Sequence, residues 1–258
     1  MTIPADLPEQ FAGLKGHDWT RVTLGKSDAD VWRIALSDST SVFLKSERQH
    51  DLAELPVEYD RLTWLTSMGF KAPRVVDQAL ENGRSWLLLT AVPGADLTHY
   101  LDDPQTFIRV YSQGLKRMHA LDPHTCPFDH SIEARLIEGE RRVVAGLVDE
   151  SDFDTEHVGW TAQQVLDWLK ANIPSEGARF VTHGDPSAPN ILAQDARFSG
   201  MVDCGRLGVA DVWQDLAIAC RSIRYSIGEE HVAPFLALYG VEWDAEKYRF
   251  FNALDELF

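Results

Sequence analysis

Apolar and polar positions run in short alternating stretches through the first third of the chain, then switch to spacings of three and four. Trp19-Thr20-Arg21-Val22-Thr23-Leu24 and Asp30-Val31-Trp32-Arg33-Ile34-Ala35 predict two strands of a hairpin around the polar turn Gly25-Lys26-Ser27-Asp28-Ala29. Ser41-Val42-Phe43-Leu44-Lys45 is an apolar run closed by a lysine. The amphipathic segment Glu58 to Leu65 follows, with Leu62 and Leu65 on one helical face. Ser85-Trp86-Leu87-Leu88-Leu89-Thr90 predicts a buried strand that ends at Ala91-Val92-Pro93-Gly94, a breaker suited to a hinge. Beyond Asp96 the period becomes helical, with Ile108, Tyr111, Leu115 and Met118 on one face, and further helices are expected over Ile132 to Val148 and Ala162 to Leu169. The pattern predicts an α/β (α+β) chain: a small antiparallel-sheet lobe over 1–91 and a larger, mainly helical lobe over 92–258.

The most informative polar residues stand between three short apolar runs, Phe180-Val181-Thr182, Asn190-Ile191-Leu192 and Met201-Val202. His183-Gly184-Asp185 precedes Asn190 by the spacing H-x-D-x-x-x-x-N, and Asp203-Cys204-Gly205 follows the third run. Alone, an Asp with an Asn five positions on reads equally well as an Asx-turn. Flanked by buried strands, the set fits phosphoryl transfer from ATP. Mg2+ takes hard oxygen ligands beside the phosphates, which Asn190 and Asp203 can provide. The phosphoryl group is already electrophilic, so the protein's task is to position the attacking hydroxyl and offset developing charge, and Asp185 suits that task. A carboxylate of pKa about 3.9 cannot deprotonate an alcohol in the ground state, so Asp185 is expected to orient the hydroxyl and accept its proton late.

HGDPSAPNIL, followed by FSGMVDCGRLGVADVWQDLA and preceded by Thr125-Cys126-Pro127-Phe128-Asp129-His130, resembles the aminoglycoside 3′-phosphotransferases, kinases with a protein-kinase-like fold. The likeness runs from Asp18-Trp19 to the final Leu254-Asp255-Glu256-Leu257-Phe258. It implies a two-lobed kinase-like fold, ATP and Mg2+, and transfer to the 3′-hydroxyl of a kanamycin- or neomycin-type compound, with antibiotic resistance as the outcome. It makes Asp185 the catalytic residue, Asn190 and Asp203 the metal ligands, and Lys45 with Glu58 the ion pair at the α- and β-phosphates. It also lays the hairpin turn with Ser27 over the phosphates and places the adenine contact near Ala91 and Val92. The acceptor's ammonium groups fall to Asp152 and Asp154, to Asp255 and Glu256, and to the terminal carboxylate of Phe258. Arg206 and Arg221 stand among these acids, and Arg206 suits either bracing of the carboxylates or contact with substrate hydroxyls. The chain departs from the family where acids are expected, with Ser222, Tyr225 and Thr155 in their places. Those departures keep open an alternative, a kinase of the same fold acting on a metabolic sugar or amino alcohol.

Composition narrows the partner. The 258 residues carry 24 Lys and Arg against 40 Asp and Glu, a formal net charge of −16. That balance argues against nucleic acid and anionic membrane surfaces, and it suits either a cationic small molecule or acidity that only aids solubility. Asp149, Glu150, Asp152, Asp154 and Glu156 crowd one segment, which is either a solvated loop or one wall of a site for a polycation. Cys126, Cys204 and Cys220 match no zinc or redox spacing, and no apolar stretch approaches the roughly 20 residues of a membrane span. A cytoplasmic monomer is expected.

Overall fold

The computed structural model describes residues 3–23, 29–36 and 40–258. It divides into two compact units, Met1–Pro93 and Gly94–Phe258.

The first unit is built on five strands: β1 (Asp18–Val22), β2 (Asp30–Ala35), β3 (Ser41–Arg48), β4 (Val75–Glu81) and β5 (Arg84–Thr90). They pair antiparallel in the order β1-β2-β3-β5-β4. Alternation along each strand separates two faces. One face gathers Trp19, Trp32, Ile34, Val42, Leu44, Ala79, Trp86 and Leu88, with Phe11 from a short 3-10 helix over Glu9–Gly16. Trp32 stacks on Trp86 and meets the edge of Trp19, both at 6.3 Å between ring centroids. The opposite face carries Lys45 paired across the ladder with Leu87, and Phe43 with Leu89. Against β3, β4 and β5 packs α1 (Leu55–Ser67), burying Leu55, Leu62 and Leu65. The hairpin turn that includes Ser27 lies outside the described residues.

The second unit contains α2 (Pro104–His119), α3 (Ile132–Ala145), α4 (Ala162–Ala171), α5 (Trp213–Ile227), α6 (Val232–Tyr239) and α7 (Ala245–Asp255). Between α4 and α5 run short strands, β7 (Arg179–Thr182), β8 (Ile191–Gln194), β9 (Arg197–Met201) and β10 (Gly208–Asp211), with β6 (Ala95–Asp96) pairing to β8. Strand β7 pairs antiparallel with β10, and β8 with β9. Helix starts carry local caps: Asp103 for α2, Ser131 for α3, Thr161 with a reciprocal bond to Gln164 for α4, and Asp244 for α7. Helix α3 stops at Ala145, short of the expected Val148, because Gly146 takes the left-handed conformation that closes a helix. The core lies where α2 meets α6 and α5 meets α7, with Phe107, Tyr111, Phe235, Phe250 and Phe251 almost fully buried. Among the described residues no helix is long and apolar enough to cross a membrane.

Candidate active site

The segment from His183 to Asn190 leaves β7 and enters β8, and buried side chains from distant parts of the second unit hold its backbone. Asp215, fully buried in the first turn of α5, accepts from the amides of His183 at 2.8 Å and Gly184 at 2.9 Å. Its Oδ2 also lies 2.9 Å from His119 Nε2, and His119 Nδ1 lies 2.7 Å from the Tyr239 hydroxyl. Gly184 sits at φ +88°, and a Cβ there would fall 2.1 Å from the carbonyl oxygen of Arg206, so the position admits only glycine. The Tyr111 hydroxyl donates to the Pro186 carbonyl, and the Ala188 amide donates to Ser222 Oγ at 3.0 Å. His183 Nε2 lies 3.0 Å from the Val202 carbonyl, which can only accept; the hydrogen therefore sits on Nε2.

Asp185 emerges from this frame partly exposed. Asn190 Nδ2 donates to its main-chain oxygen at 2.9 Å and to carboxylate Oδ2 at 3.0 Å, which fixes the carboxylate plane against the loop. Burial raises the Asp185 pKa above the ordinary carboxylate value; Arg206 and His183 pull it down, whereas Asp255 and Asp203 add to the rise.

Asn190 and Asp203 reach the same place by strand pairing. Ile191 faces Met201 across the β8–β9 ladder, and the Val202 amide donates to the Asn190 carbonyl at 3.0 Å, so Asp203 follows immediately beside Asn190. Asp203 turns the chain with φ +61°, an uncommon conformation for a non-glycine residue, and its side chain is exposed. With Nδ2 of Asn190 committed to Asp185, the oxygen end of that amide and the Asp203 carboxylate form a hard-oxygen pair, which is the donor chemistry Mg2+ takes.

In the first unit, Lys45 Nζ lies 2.8 and 2.7 Å from the two carboxylate oxygens of Glu58. Glu58 is almost completely buried, on the face of α1 that lies against the sheet. Ala91 and Val92 are half-buried just past β5, where the Ala91 amide donates to the Ser41 carbonyl at 3.3 Å.

The acids expected at an acceptor site already carry intramolecular partners. Asp255 bonds Arg206 at 3.2 Å and Arg221 more closely. Arg221 also reaches Asp154 Oδ2 at 3.2 Å, and the Tyr225 hydroxyl donates to Asp154 Oδ1 at 3.3 Å. Glu256 Oε1 accepts from the Asp154 amide at 2.9 Å and lies 3.1 Å from His157 Nδ1. Asp152 is exposed at the end of a short 3-10 turn. The Phe258 ring lies under the Arg135 guanidinium at 3.3 Å, with Arg142 and Arg206 at 5.5 and 5.7 Å. Burial raises the Asp255 pKa, but Arg221 and Arg206 outweigh it and hold the group below the ordinary value. Burial likewise opposes the charge on Arg221, and Asp255 and Asp154 overcome it, raising its pKa.

Several supporting side chains escaped the sequence reading. Tyr111, Ser222 and His157 bond partners 75, 34 and 99 positions away, and no local pattern signals such pairs. His119 is the residue that braces Asp215.

The chain matches the model of the phosphotransferase enzyme family over residues 18–251. It is 32% identical over 256 residues to an aminoglycoside 3′-phosphotransferase of Streptomyces fradiae, covering 94% of this chain and 96% of the relative. A second such enzyme, from Niallia circulans, is also 32% identical, covering 97% of each chain. Among solved structures, the crystal structure of aminoglycoside-3′-phosphotransferase of type VIII superposes with a TM-score of 0.85 at 31% identity, covering 96% of this chain and 97% of that one. The aminoglycoside phosphotransferase APH(3'')-Id of Streptomyces rimosus, in complex with ADP and streptomycin, superposes with a TM-score of 0.80 at 25% identity, covering 93% and 92%. The two-lobed, kinase-like α+β fold expected from the sequence is the fold these enzymes share with it, and the chain belongs to the phosphotransferase enzyme family as one of the aminoglycoside 3′-phosphotransferases.

Proposed function

We propose that this protein transfers the γ-phosphoryl group of ATP to the 3′-hydroxyl of a kanamycin- or neomycin-type aminoglycoside and so confers resistance to it. The observation that carries the reading is the Asp185–Asn190 contact at 3.0 Å on a loop tied down by Asp215, in a chain of this family. In this reading the N-terminal unit, with Lys45, Glu58, Ser27 and the backbone near Ala91 and Val92, binds the nucleotide. The C-terminal unit supplies catalysis and the acceptor site.

Asp185 aligns the acceptor hydroxyl with the γ-phosphorus. The sugar oxygen forms its bond to phosphorus as the bond to the ADP oxygen breaks, and the hydroxyl proton passes to the Asp185 carboxylate. Asn190 and Asp203 would hold Mg2+, which would supply positive charge to offset that of the phosphates. Lys45, locked by Glu58, brings an ammonium to the α- and β-phosphates. Asp152, Asp154, Asp255, Glu256 and Phe258 receive the cationic acceptor together with Arg206 and Arg221. Because Asp154 and Asp255 are already paired with Arg221, acceptor binding exchanges one cation for another at these carboxylates instead of neutralising bare acids. The protein acts as a monomer.

Replacing Asp185 with Ala should remove turnover and leave nucleotide affinity within about twofold of wild type, since a positioned acid–base group contributes roughly 10²- to 10⁴-fold to rate. Retained turnover in that variant would overturn the assignment.

A further inference from the structure

Helix α1 begins without a cap of its own. Its N-cap residue, Glu54, makes no side-chain bond to the first turn, and Pro56 has no amide hydrogen to offer. The cap comes instead from strand β3. Glu47 Oε2 accepts from the amides of Glu54 and Leu55, both at 2.9 Å, while Oε1 faces His50 Nε2 at 3.7 Å. Glu47 is only 5% exposed. A carboxylate at this end of a helix is favoured by the helix dipole as well as by the two bonds.

Lys45 and Glu47 are two positions apart on β3 and therefore leave the same face of the strand. Each reaches α1: Lys45 grips Glu58, and Glu47 grips the helix start one turn earlier. Added to the packing of Leu55, Leu62 and Leu65, two anchors from one rigid strand fix the height and rotation of α1 against the sheet more tightly than the Lys45–Glu58 pair does alone. We infer that Glu47 is a positioning residue for nucleotide binding: by capping α1 from β3 it sets where Glu58 stands and thereby where Glu58 holds the Lys45 ammonium. The inference rests on the reading of Lys45 as the phosphate-binding lysine.

The test is the affinity for Mg·ADP, measured by calorimetry on the full chain without acceptor, for wild type, Glu47→Ala, Glu47→Gln, Lys45→Ala and the Lys45→Ala/Glu47→Ala double variant. Glu47→Ala should weaken binding about tenfold, and Glu47→Gln, which keeps an acceptor oxygen, should stay within about threefold of wild type. In the Lys45→Ala background, adding Glu47→Ala should cost less than about twofold, because the two residues act through one contact. Wild-type affinity in Glu47→Ala, or the same loss in both backgrounds, would overturn the inference while leaving the nucleotide site standing. Wild-type protein that binds no Mg·ADP would overturn the reading of Lys45 and the inference with it.

Discussion

The loop around Asp185 and the acidic wall around Asp255 are both polar, both partly buried and both in the second unit, yet they are held in opposite ways. The loop is tied through its backbone. Asp215, Tyr111 and Ser222 grip main-chain atoms of His183, Gly184, Pro186 and Ala188, leaving the Asp185 side chain at a fixed point. The wall is held by side chains gripping one another, with Arg221 shared between Asp154 and Asp255. A backbone clamp cannot exchange partners without moving the chain, whereas an ion pair can exchange one cation for another. The difference suits a site that keeps its chemistry constant while admitting a flexible polycationic acceptor.

The largest expected effect comes from loosening the clamp. Asp215→Asn replaces a charged acceptor of two buried amides with a neutral one. It should lower unfolding stability by about 2 kcal/mol in urea titration, the scale of a hydrogen bond to a charged group. Turnover should fall by about a hundredfold, as expected when a reacting group is misplaced by about 1 Å. A variant with lower stability but unchanged turnover would show that the clamp supports the fold and not the position of Asp185.

An intermediate effect is expected at Arg206, which bonds Asp255 and also pulls down the pKa of Asp185. Removing it with Ala should shift the acid limb of the kcat profile to higher pH, because Asp185 then holds its proton more tightly. The stability linkage has the same sign for this group. The folded-state pKa of Asp185 lies above the unfolded value of about 3.9, so its contribution favours the fold as pH falls through the raised pKa. Asp255 runs the other way: held below that value by Arg221 and Arg206, it contributes stability above pH of about 3.9 that is lost as pH drops through its depressed pKa. An acid limb in Arg206→Ala that stays in place or moves down would contradict the electrostatic link between wall and loop.

The smallest effect belongs to Tyr225, which is 61% exposed and reaches Asp154 at 3.3 Å. Tyr225→Phe should change the KM for aminoglycoside by less than about threefold and leave kcat unchanged, since exposed polar contacts to charges are weak. A loss of tenfold or more would mean that this hydroxyl anchors the wall.

Much of this arrangement was legible in the sequence where short-range pattern controls it. Apolar runs located the strands that flank Asp185, Asn190 and Asp203, and they located the strand and helix that carry Lys45 and Glu58, whose pairing across 13 positions the family resemblance implied. The end of α3 was misplaced, because the apolar period continues past Gly146, where the helix stops. Tyr111 and Ser222 were not legible as clamp residues. Tyr111 sits in a helical apolar stripe and looks like any core residue, and only the fold brings its hydroxyl to Pro186. Glu47 follows the apolar run of β3 as one more polar residue, and its capping of α1 depends on a turn that no periodicity describes.

The most direct measurement is a coupled ATP-consumption assay with Mg2+, using kanamycin and its 3′-deoxy relative tobramycin as acceptors. Turnover with kanamycin and none with tobramycin is the predicted result, since only the first offers the hydroxyl that Asp185 is proposed to orient. Equal turnover with both, or no turnover with kanamycin in protein that binds ATP, would contradict transfer to the 3′ position.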